Sequence, residues 1–314
     1  MEYNSEEEVA RMFTADAHCD ALYRITIEGR APSDCAVTPR CLRKGCVGVQ
    51  TFAMFSSLGR PDPHGDGLRM LDTYRALPLP RLDGALPEQP PETPHAILSM
   101  EGGEILRGSI EALDEFNGDT RLRLIALTWN HENEIGIPAA KNAREGLKPF
   151  GFQLLRGMDR RGIAADVSHL NEAGFWDVMN ATVVAPLASH SNCHWLCDVP
   201  RNLKREQVIA LIERNGFIGI NFYSKFLDRG RRAVIEDVVR HIDEICALGG
   251  ERIVGFGSDF DGIDAWPEGL ASPADFPGLL DLLARRGYAD DQLRGIAGLN
   301  YWRFLREAES KAER

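Results

Sequence analysis

The stretch IAADVSHLNEAGFWDVMNATVVAPLASH, residues 163–190, decides the fold. It opens with an apolar run at Ile163–Val167, which has the length and composition of a β-strand, and a second run of this kind follows at Val183–Ala188. Between the two runs, Asn171 can cap a helix that continues to Met179. A strand, a helix and a second strand in this order predict a βαβ unit with parallel strands.

The same alternation extends through the rest of the chain. Eight short apolar runs are predicted to be strands: Phe13–Ala17, Val47–Phe55, Ala96–Met100, Leu122–Thr128, Ile163–Val167, Val183–Ala188, Phe217–Phe222 and Ile253–Gly257. Helical patterns lie between most of them. Eight strands that alternate with helices predict an α/β fold, a single-domain (β/α)₈ barrel of the TIM type.

Several helices have predicted limits. One is expected to be capped by Asn202, to carry Val208 on its apolar face and to stop at Gly216. Another is predicted over Val234–Leu248, and a closing helix over Asp290–Ala308.

A chain of 314 residues suits one barrel, so residues 1–314 are predicted to form a single catalytic domain. Residues 57–94 fall outside the alternation. They hold one helical piece, Leu68–Leu77, and then a proline-rich stretch. We interpret this segment as an excursion on the rim of the barrel and not as a linker between domains.

Composition limits the partners. The chain is 44% hydrophobic and 26% charged, which is typical of a globular protein. Its net charge of −11 would repel a phosphate backbone, and no run has the apolar length of a membrane span, so neither nucleic acid nor membrane is expected as a partner. The acidic stretch 1–13 lacks a signal-peptide pattern, and seven scattered cysteines fit a reducing compartment. We therefore expect a cytoplasmic protein.

Polar groups follow most of the predicted strands directly. These groups are His18-Cys19-Asp20, Glu101-Gly102-Gly103, His169, His190, Asn221-Phe222-Tyr223 and Asp259-Phe260-Asp261-Gly262. In a barrel of this kind the active site lies at the C-terminal ends of the strands. The repeated placement therefore predicts one site at the mouth of the barrel.

The residue types favour a metal site. His18 and Asp20 are two positions apart, so both side chains point to the same side of an extended chain and can reach one metal ion. Glu101 can bridge two metals, and His169 and His190 can hold the second. A water between two such ions is acidified into a hydroxide nucleophile near neutral pH. Two divalent ions, most simply Zn²⁺, are therefore predicted as cofactors.

Asp259 lies opposite these predicted ligands. Its carboxylate can take the proton of the attacking water and pass it to the departing nitrogen, which makes it the predicted catalytic acid and base. The sequence leaves two neighbouring roles open. Asn221 could bind substrate or tie a strand end, and Asp261 could support the site or form a turn before Gly262.

Several motifs, in this order along the chain, carry a resemblance to a known family. They are DAHCDAL (16–22), MEGGE (100–104), DVSHL (166–170), SHSN (189–192), PRNL (200–203), INFY (220–223), GFGSDFDG (255–262) and the closing GLNYWR (298–303). Together they resemble the renal, or membrane, dipeptidase family of zinc metallopeptidases, over nearly the whole chain. The resemblance implies a cytoplasmic-type dipeptidase that uses a dizinc-bridged hydroxide.

The resemblance also implies roles for residues. It places His18, Asp20, Glu101, His169 and His190 around two zinc ions. It further implies that Asp259 is the acid and base, that Arg201 holds the terminal carboxylate of the substrate, and that Tyr223 lines the substrate site. A guanidinium suits a carboxylate because it can donate two parallel hydrogen bonds. Dipeptides of L-Xaa-L-Xaa and L-Xaa-D-Xaa type are the implied substrates, and family members often form homodimers.

The chain departs from the family pattern at one position. The family often has a histidine after Leu-Thr at the end of the fourth strand, where it steadies the oxyanion, but here Trp129 follows Leu127-Thr128. The indole N–H of Trp129, or His131 two residues later, could supply the missing donor. Loss of one such donor can lower the rate by about 10²–10³.

Two other functions stay open at this stage. A deacylase of N-acyl amino acids would keep the metals and the carboxylate clamp but would need no site for a free amine. A metal-binding relative without peptidase activity would keep the ligands and lack turnover.

Overall fold

Eight parallel strands close into a barrel in which each strand pairs with the next along the chain and β8 pairs with β1. A computed structural model describes residues 11–141 and 144–312, so residues 1–10, on which most of the signal-peptide argument rests, lie outside it. The strands are β1 (Thr14–Asp16), β2 (Val47–Phe55), β3 (His95–Glu101), β4 (Leu122–Ala126), β5 (Ala164–Asp166), β6 (Leu187–Ala188), β7 (Phe217–Ile220) and β8 (Val254–Phe256). The predicted (β/α)₈ barrel is confirmed.

Helices surround the barrel. The α-helices of the described residues are α1 (Ala21–Thr26), α2 (Pro39–Lys44), α3 (Pro63–Arg75), α4 (Ile110–Asn117), α5 (Pro149–Arg161), α6 (Glu172–Ala181), α7 (Arg205–Glu213), α8 (Ser224–Leu227), α9 (Ile235–Ala247), α10 (Phe276–Arg285), α11 (Asp290–Arg294) and α12 (Asn300–Ser310). Short 3₁₀ turns occur at 32–34, 103–106 and 273–275, and a π-helical turn at 295–299 joins α11 to α12.

Strand β6 is shorter than its apolar run predicts. The run begins at Val183, but the backbone N–H groups of Val183 and Val184 donate to the carboxylate of Asp159 in α5 (3.0 and 2.9 Å). These donors therefore serve the preceding helix and not the sheet. Pairing with β5 and β7 is left to Leu187 and Ala188.

One predicted helix cap is confirmed and another is wrong. The side chain of Asn171 accepts a hydrogen bond from Gly174 N (3.0 Å) and caps α6. Asn202 does not cap α7, because its buried amide donates to the carbonyls of Cys197 and Phe226 and so ties the loop at Cys197 to helix α8. Helix α7 begins at Arg205, where the side chain of Gln207 accepts from Lys204 N (2.9 Å).

The segment at 57–94 holds helix α3 and the proline-rich stretch, and its interpretation as a rim excursion stays a prediction. Helix α3 begins at Pro63, five residues before the predicted start, because Asp62 caps it and proline suits the first helical position. Farther along, Leu82 and Gly84 accept hydrogen bonds from Arg123 near the start of β4. This proline-rich part lies at the N-terminal end of the barrel, away from the mouth.

The core has two parts. Large apolar side chains such as Phe52, Leu98 and Met100 pack between the sheet and the surrounding helices. A second cluster joins small and medium side chains of the strands to Tyr301 and Phe304 of α12. The C-terminal helix thus contacts the second cluster, and the polar residues that follow the strands gather at the opposite, C-terminal end.

Candidate metal site and substrate cavity

The five predicted metal ligands converge at the mouth of the barrel. His18 Nε2 lies 3.5 Å from both Asp20 Oδ2 and Glu101 Oε2. On the other side of the carboxylate, Glu101 Oε1 lies 2.9 Å from His169 Nε2 and 3.4 Å from His190 Nε2. Glu101 therefore faces two separate sets of ligand atoms, which is the arrangement that a bridging carboxylate needs.

Local backbone geometry turns the side chains inward. His169 and Asp259, each just past a strand, have positive φ angles of 67° and 62°. The strand ends are also tied together, since Asp259 N donates to His18 O (3.2 Å) and Asp20 N donates to Phe260 O (3.0 Å). A Cβ atom at Gly262 would overlap both Asp20 Oδ2 and Asp259 Oδ1, so only glycine allows this close approach.

A buried hydrogen-bond chain orients His190. The Ser189 hydroxyl donates to Asp166 Oδ2 and lies 2.7 Å from His190 Nδ1. Because a hydroxyl has a single proton, and the carboxylate takes it, Ser189 Oγ must accept from His190 Nδ1–H. The Nε2 atom of His190 is therefore the unprotonated one, and its lone pair faces Glu101 and His169.

A second contact fixes His169 in the same way. Its Nδ1 lies 2.9 Å from the amide oxygen of Asn130, which can only accept a hydrogen bond. Nε2 of His169 is again left with its lone pair directed into the site, 3.0 Å from His190 Nε2. Two imidazole lone pairs at this distance do not satisfy each other, whereas a shared cation satisfies both.

The residues present fit a metal centre. His18 Nε2 and Asp20 Oδ1 are buried and have no hydrogen-bond partner among the described residues. The ligand atoms of His18, Glu101 and His190 lie within 4.8 Å of one another, as do those of His18, Asp20 and Asp259. Imidazole nitrogens and carboxylate oxygens are the donor set of zinc and related divalent ions.

The pKa values of the titratable groups in the site are strongly shifted. Burial alone would lower the pKa of His18, but Glu101 and Asp20 raise it well above its usual range. Burial opposes ionisation of Glu101, yet His18 and the neighbouring imidazoles hold the pKa of that carboxyl well below its usual value. Burial lowers the pKa of His169 to about 4, so this imidazole is neutral and competent as a ligand at pH 7.

Asp259 lies at the edge of the ligand cluster. Its Oδ1 is 4.0 Å from His18 Nε2, and its Oδ2 accepts from the amide of Asn221 (2.8 Å). Burial, together with the neighbouring carboxylates of Asp20 and Glu101, raises the pKa of Asp259 to about 8 against the opposite effects of His18 and the Asn221 hydrogen bond. Asn221 thus holds the carboxylate in place, which is a third role beside the two that the sequence left open.

Asp261, the other open case, supports a loop. Its carboxylate accepts from the backbone N–H groups of Ala36 and Val37 (2.8 and 3.0 Å), and its carbonyl accepts from Arg24 Nε.

Arg201 is a buried cation with unused hydrogen-bonding capacity. Its guanidinium donates one long hydrogen bond to His190 O (3.3 Å), and its Nε atom has no partner among the described residues. Burial lowers the pKa of Arg201 to about 10, against the opposite effects of Asp259 and Glu101, so it remains charged at pH 7. A buried guanidinium in this state is suited to receive an anion.

A cavity of about 340 Å³ opens above the cluster. Tyr223 and Trp129 both line it, together with Asp20, Glu101, His169 and Asp259. His131 is not among its lining residues. The His131 Nε2 atom lies 3.1 Å from Glu104 Oε1, so the structure directs this side chain away from the cavity and leaves Trp129 as the nearer candidate donor.

Sequence reasoning missed the groups that orient the ligands. Asp166 and Ser189 act on His190, and Asn130 acts on His169. Asp16 accepts from Ser258 N and Oγ (2.8 and 2.6 Å) and so fastens β1 to the end of β8. The available signal was an aspartate two or three residues before a histidine, at Asp16 and at Asp166.

A closed (β/α)₈ barrel with candidate histidine and carboxylate ligands at its C-terminal mouth is typical of the class of metal-dependent hydrolases. Residues 5–314 match the family described as Membrane dipeptidase (Peptidase family M19), and the chain belongs to this family.

Relatives agree with this assignment. An uncharacterized protein of Klebsiella pneumoniae, from the pqqA 5′ region, is 34% identical over 216 residues, which cover 63% of this chain and 79% of the relative. An uncharacterized dipeptidase of Schizosaccharomyces pombe is 33% identical over 218 residues, or 68% of this chain. The chain spans about half the length of that yeast protein (53%).

Solved structures share the fold. A dipeptidase described as a metallopeptidase is 26% identical, with a TM-score of 0.84 over 95% of this chain and 99% of its own. A metallopeptidase of Rhodobacter sphaeroides, solved with a phosphinate mimic of the dipeptide L-Ala-D-Ala, has a TM-score of 0.83 with the same coverage. Its identity is 24%, so this second likeness is one of fold.

Proposed function

We propose that the protein is a metallodipeptidase that hydrolyses dipeptides at the mouth of the barrel. The observation that carries the proposal is the pairing of two features. A buried guanidinium, Arg201, has an Nε atom without a partner among the described residues. It lies against His190, one of the five side chains, Glu101 included, whose ligand atoms gather at the mouth of the barrel. A site of this kind can hold a substrate carboxylate beside a hydrolytic metal centre.

His18, Asp20, Glu101, His169 and His190 would hold two divalent ions, with zinc as the proposed metal. When bound, such ions polarise a carbonyl and acidify water near neutral pH. The protein orients the ligands for this task through Ser189 and Asn130, which direct the Nε2 lone pairs of His190 and His169 into the site.

Arg201 positions the substrate in this proposal. Its guanidinium binds the C-terminal carboxylate, which places the preceding amide bond over Glu101. A peptide with more residues would put its carboxylate beyond this clamp, so the preferred length is two. The buried carboxylates of Asp20 and Asp259, which line the cavity, favour the free ammonium of the other residue.

Asp259 moves the proton. Its Oδ1 faces the ligand cluster, and its Oδ2 is held by Asn221, so the carboxylate can accept a proton from the attacking water and donate it to the departing amine without a large movement. Trp129 is proposed as the donor to the oxyanion, and His131 remains a weaker prediction, because it faces Glu104.

The deciding experiment measures hydrolysis of L-Xaa-L-Xaa and L-Xaa-D-Xaa dipeptides by the metal-loaded protein. A chelated sample and the Asp259→Asn variant serve as controls, and both are expected to lose turnover. Each dipeptide is paired with its N-acetylated form. Cleavage of the N-acetylated compounds alone would identify a deacylase, and two bound metals without turnover on any amide would identify an inactive relative.

Two wider predictions belong to the same proposal. None of the helices in residues 11–141 and 144–312 is long and apolar enough to cross a membrane. The cytoplasmic location and the homodimer stay predictions, which fractionation of the native host and light scattering of the purified protein would test.

A further inference from the structure

The cavity above the metal site is walled by aromatic rings. Phe55, at the end of β2, contacts Tyr23 on one side and Trp129 on the other, with ring centroids 4.8 and 4.9 Å apart in edge-to-face geometry. Tyr223 and Phe226, which follow β7, form a second edge-to-face pair at 4.8 Å. All five rings line the same cavity of about 340 Å³.

The arrangement of the strands puts these rings on two sides of the site. In a closed ring of eight strands, β7 lies opposite β3. Tyr23, Phe55 and Trp129 follow β1, β2 and β4 respectively, so this row of rings lies on the β3 side of the mouth. The two aromatic groups therefore line the cavity from different sides of the mouth. Hydrogen bonding also fixes the outer ring of the row, since Tyr23 Oη lies 2.8 Å from Ser57 Oγ.

The position of Arg201 shows which end of a dipeptide enters this cavity. Arg201 lines a second cavity, of about 280 Å³, and the two cavities share His169. The Phe226 ring lies beneath the guanidinium of Arg201, at 5.6 Å, and so stands near the boundary. A substrate carboxylate bound to Arg201 places the C-terminal residue of the dipeptide in the second cavity, beyond His169. The N-terminal residue then lies among the aromatic rings of the first cavity.

The charges of the cavity add to this selectivity. Among the described residues that line it, the one cation is Arg24, which is bound by Glu28 (2.7 Å) and by the carbonyl of Asp261 and is therefore not free for an acidic side chain. Asp264 at the edge pairs loosely with Lys225, at 3.6 Å. Aromatic walls with carboxylates beneath them disfavour an acidic N-terminal side chain and favour a large apolar one.

We propose, on the basis of the proposed dipeptidase function, that the enzyme selects dipeptides with an aromatic or large apolar N-terminal residue. Phe55 and Trp129 are the specificity-determining residues. An apolar pocket gains about 10–200-fold in specificity for each methylene group that it recognises. We therefore expect kcat/KM for Phe-Ala to exceed that for Ala-Ala by at least about 10-fold.

The test compares four substrates, Phe-Ala, Ala-Ala, Lys-Ala and Glu-Ala, on the metal-loaded enzyme. Phe-Ala is expected to be the best and Glu-Ala the worst. Phe55→Ala is expected to lower the ratio of kcat/KM for Phe-Ala to that for Ala-Ala to near unity, chiefly through KM. Trp129→Ala is expected to lower the same ratio and also to lower kcat on both substrates, because its indole is the proposed oxyanion donor. Trp176→Ala is the matched control, since Trp176 is a half-exposed aromatic residue of α6 that does not line the cavity, and its ratio should stay at the wild-type value.

The outcomes separate this inference from the function on which it rests. Cleavage of Ala-Ala or Lys-Ala as efficiently as Phe-Ala would overturn the aromatic selectivity and leave the dipeptidase proposal standing. A ratio that persists in both variants would also overturn it. If Phe55→Ala does not fold, judged by its circular dichroism melt, Phe55→Leu gives the same comparison with a smaller change in volume. Turnover of none of the four would instead refute the proposed function.

Discussion

At the scale of single residues, the Ser189 hydroxyl connects a buried carboxylate to a predicted metal ligand. It donates to Asp166 and accepts from His190 Nδ1, which leaves His190 Nε2 free to bind metal. In Ser189→Ala the hydrogen bond that keeps the proton on Nδ1 is lost. We expect zinc affinity to fall by about 10–100-fold, as is usual when the hydrogen-bond partner of a metal-binding histidine is removed.

Competition with a chromophoric chelator would measure this change. Ser99→Ala is the matched control, because Ser99 is also a buried strand serine but makes only a weak contact with Phe52 O (3.4 Å). Equal zinc affinities of the two variants would refute the proposed role of Ser189.

Arg201 permits a second prediction at this scale. Arg201→Gln should lower kcat/KM for a dipeptide on the order of 10- to 100-fold, because a hydrogen bond to a charged group contributes about 1.5–3 kcal/mol. The corresponding dipeptide amide, which lacks the carboxylate, should be affected much less. Wild-type enzyme should therefore discriminate between acid and amide, and the variant should not.

Steady-state kinetics on the paired acid and amide would decide this. Arg205→Gln is a suitable control, since Arg205 is an exposed arginine that stacks on Trp195 at 4.6 Å and lines neither cavity. Undiminished acid-over-amide preference in Arg201→Gln would mean that another group binds the carboxylate.

The same scale shows where sequence reasoning about the site reaches its limit. The ligand residues could be proposed because each directly follows a strand, and the order of strands then forces them together. The partners of those ligands could not be proposed in this way. Asn130 and Ser189 act through contacts that form only when neighbouring strand ends meet, and many serines and asparagines elsewhere in the chain have no such role.

At the scale of elements, the loop after β8 depends on one glycine. Gly262 lies so close to Asp20 Oδ2 and Asp259 Oδ1 that a methyl group cannot fit without moving both carboxylates. We expect Gly262→Ala to reduce the number of metal ions bound per chain and to abolish most turnover, while the barrel still folds. Metal analysis of the purified protein and its thermal melt would check both parts.

A glycine in α10 supplies the contrast. A Cβ at Gly278 meets no atom within 4 Å, so Gly278→Ala should keep full metal content. It should also gain about 0.4–1 kcal/mol in stability, because alanine lowers the conformational entropy of the unfolded chain. A fully metal-loaded Gly262→Ala would contradict the proposed arrangement of Asp20 and Asp259.

Elements themselves were largely predictable. All eight strands occur where apolar runs predicted them, because strand length and composition are local properties. The errors arose where a distant group changed the local outcome. Asp159 accepts from the N–H groups that would have extended β6, and the amide of Asn202 donates to a loop and to helix α8 and does not cap α7.

At the scale of the whole molecule, a buried ion pair fastens the C-terminal helix to the N-terminal end of the barrel. Arg123 of β4 donates to Glu309 of α12 (2.8 Å), whose other oxygen accepts from Leu86 N in the proline-rich segment. Arg123 is only 4% exposed, so removal of the carboxylate leaves a buried guanidinium that keeps its carbonyl acceptors at Leu82 and Gly84 but loses the opposite charge of Glu309. This one carboxylate therefore joins a strand, the last helix and the proline-rich segment.

Glu309→Gln should destabilise the protein at neutral pH. Breaking a fully buried pair costs about 3–5 kcal/mol, and we expect the lower end of that range because Glu309 is 17% exposed. Burial opposes ionisation of Glu309, but Arg123 lowers the pKa of its carboxyl below the usual value. A carboxyl with a depressed folded-state pKa stabilises the fold above its unfolded pKa of about 4.3 and loses this effect as the pH falls through the folded-state value.

Urea unfolding at several pH values tests both the size and the sign. The midpoint for Glu309→Gln should lie below that of the wild type at pH 7. The gap should begin to narrow as the pH falls below the unfolded pKa of about 4.3 and should close once the pH is below the depressed folded-state pKa, where wild-type Glu309 is protonated and resembles glutamine. Glu307→Gln, an exposed position on the same helix, should match the wild type throughout. A gap between Glu309→Gln and wild type that is as large at pH 3.5 as at pH 7 would mean that the loss comes from packing of the helix and not from the charge on Glu309.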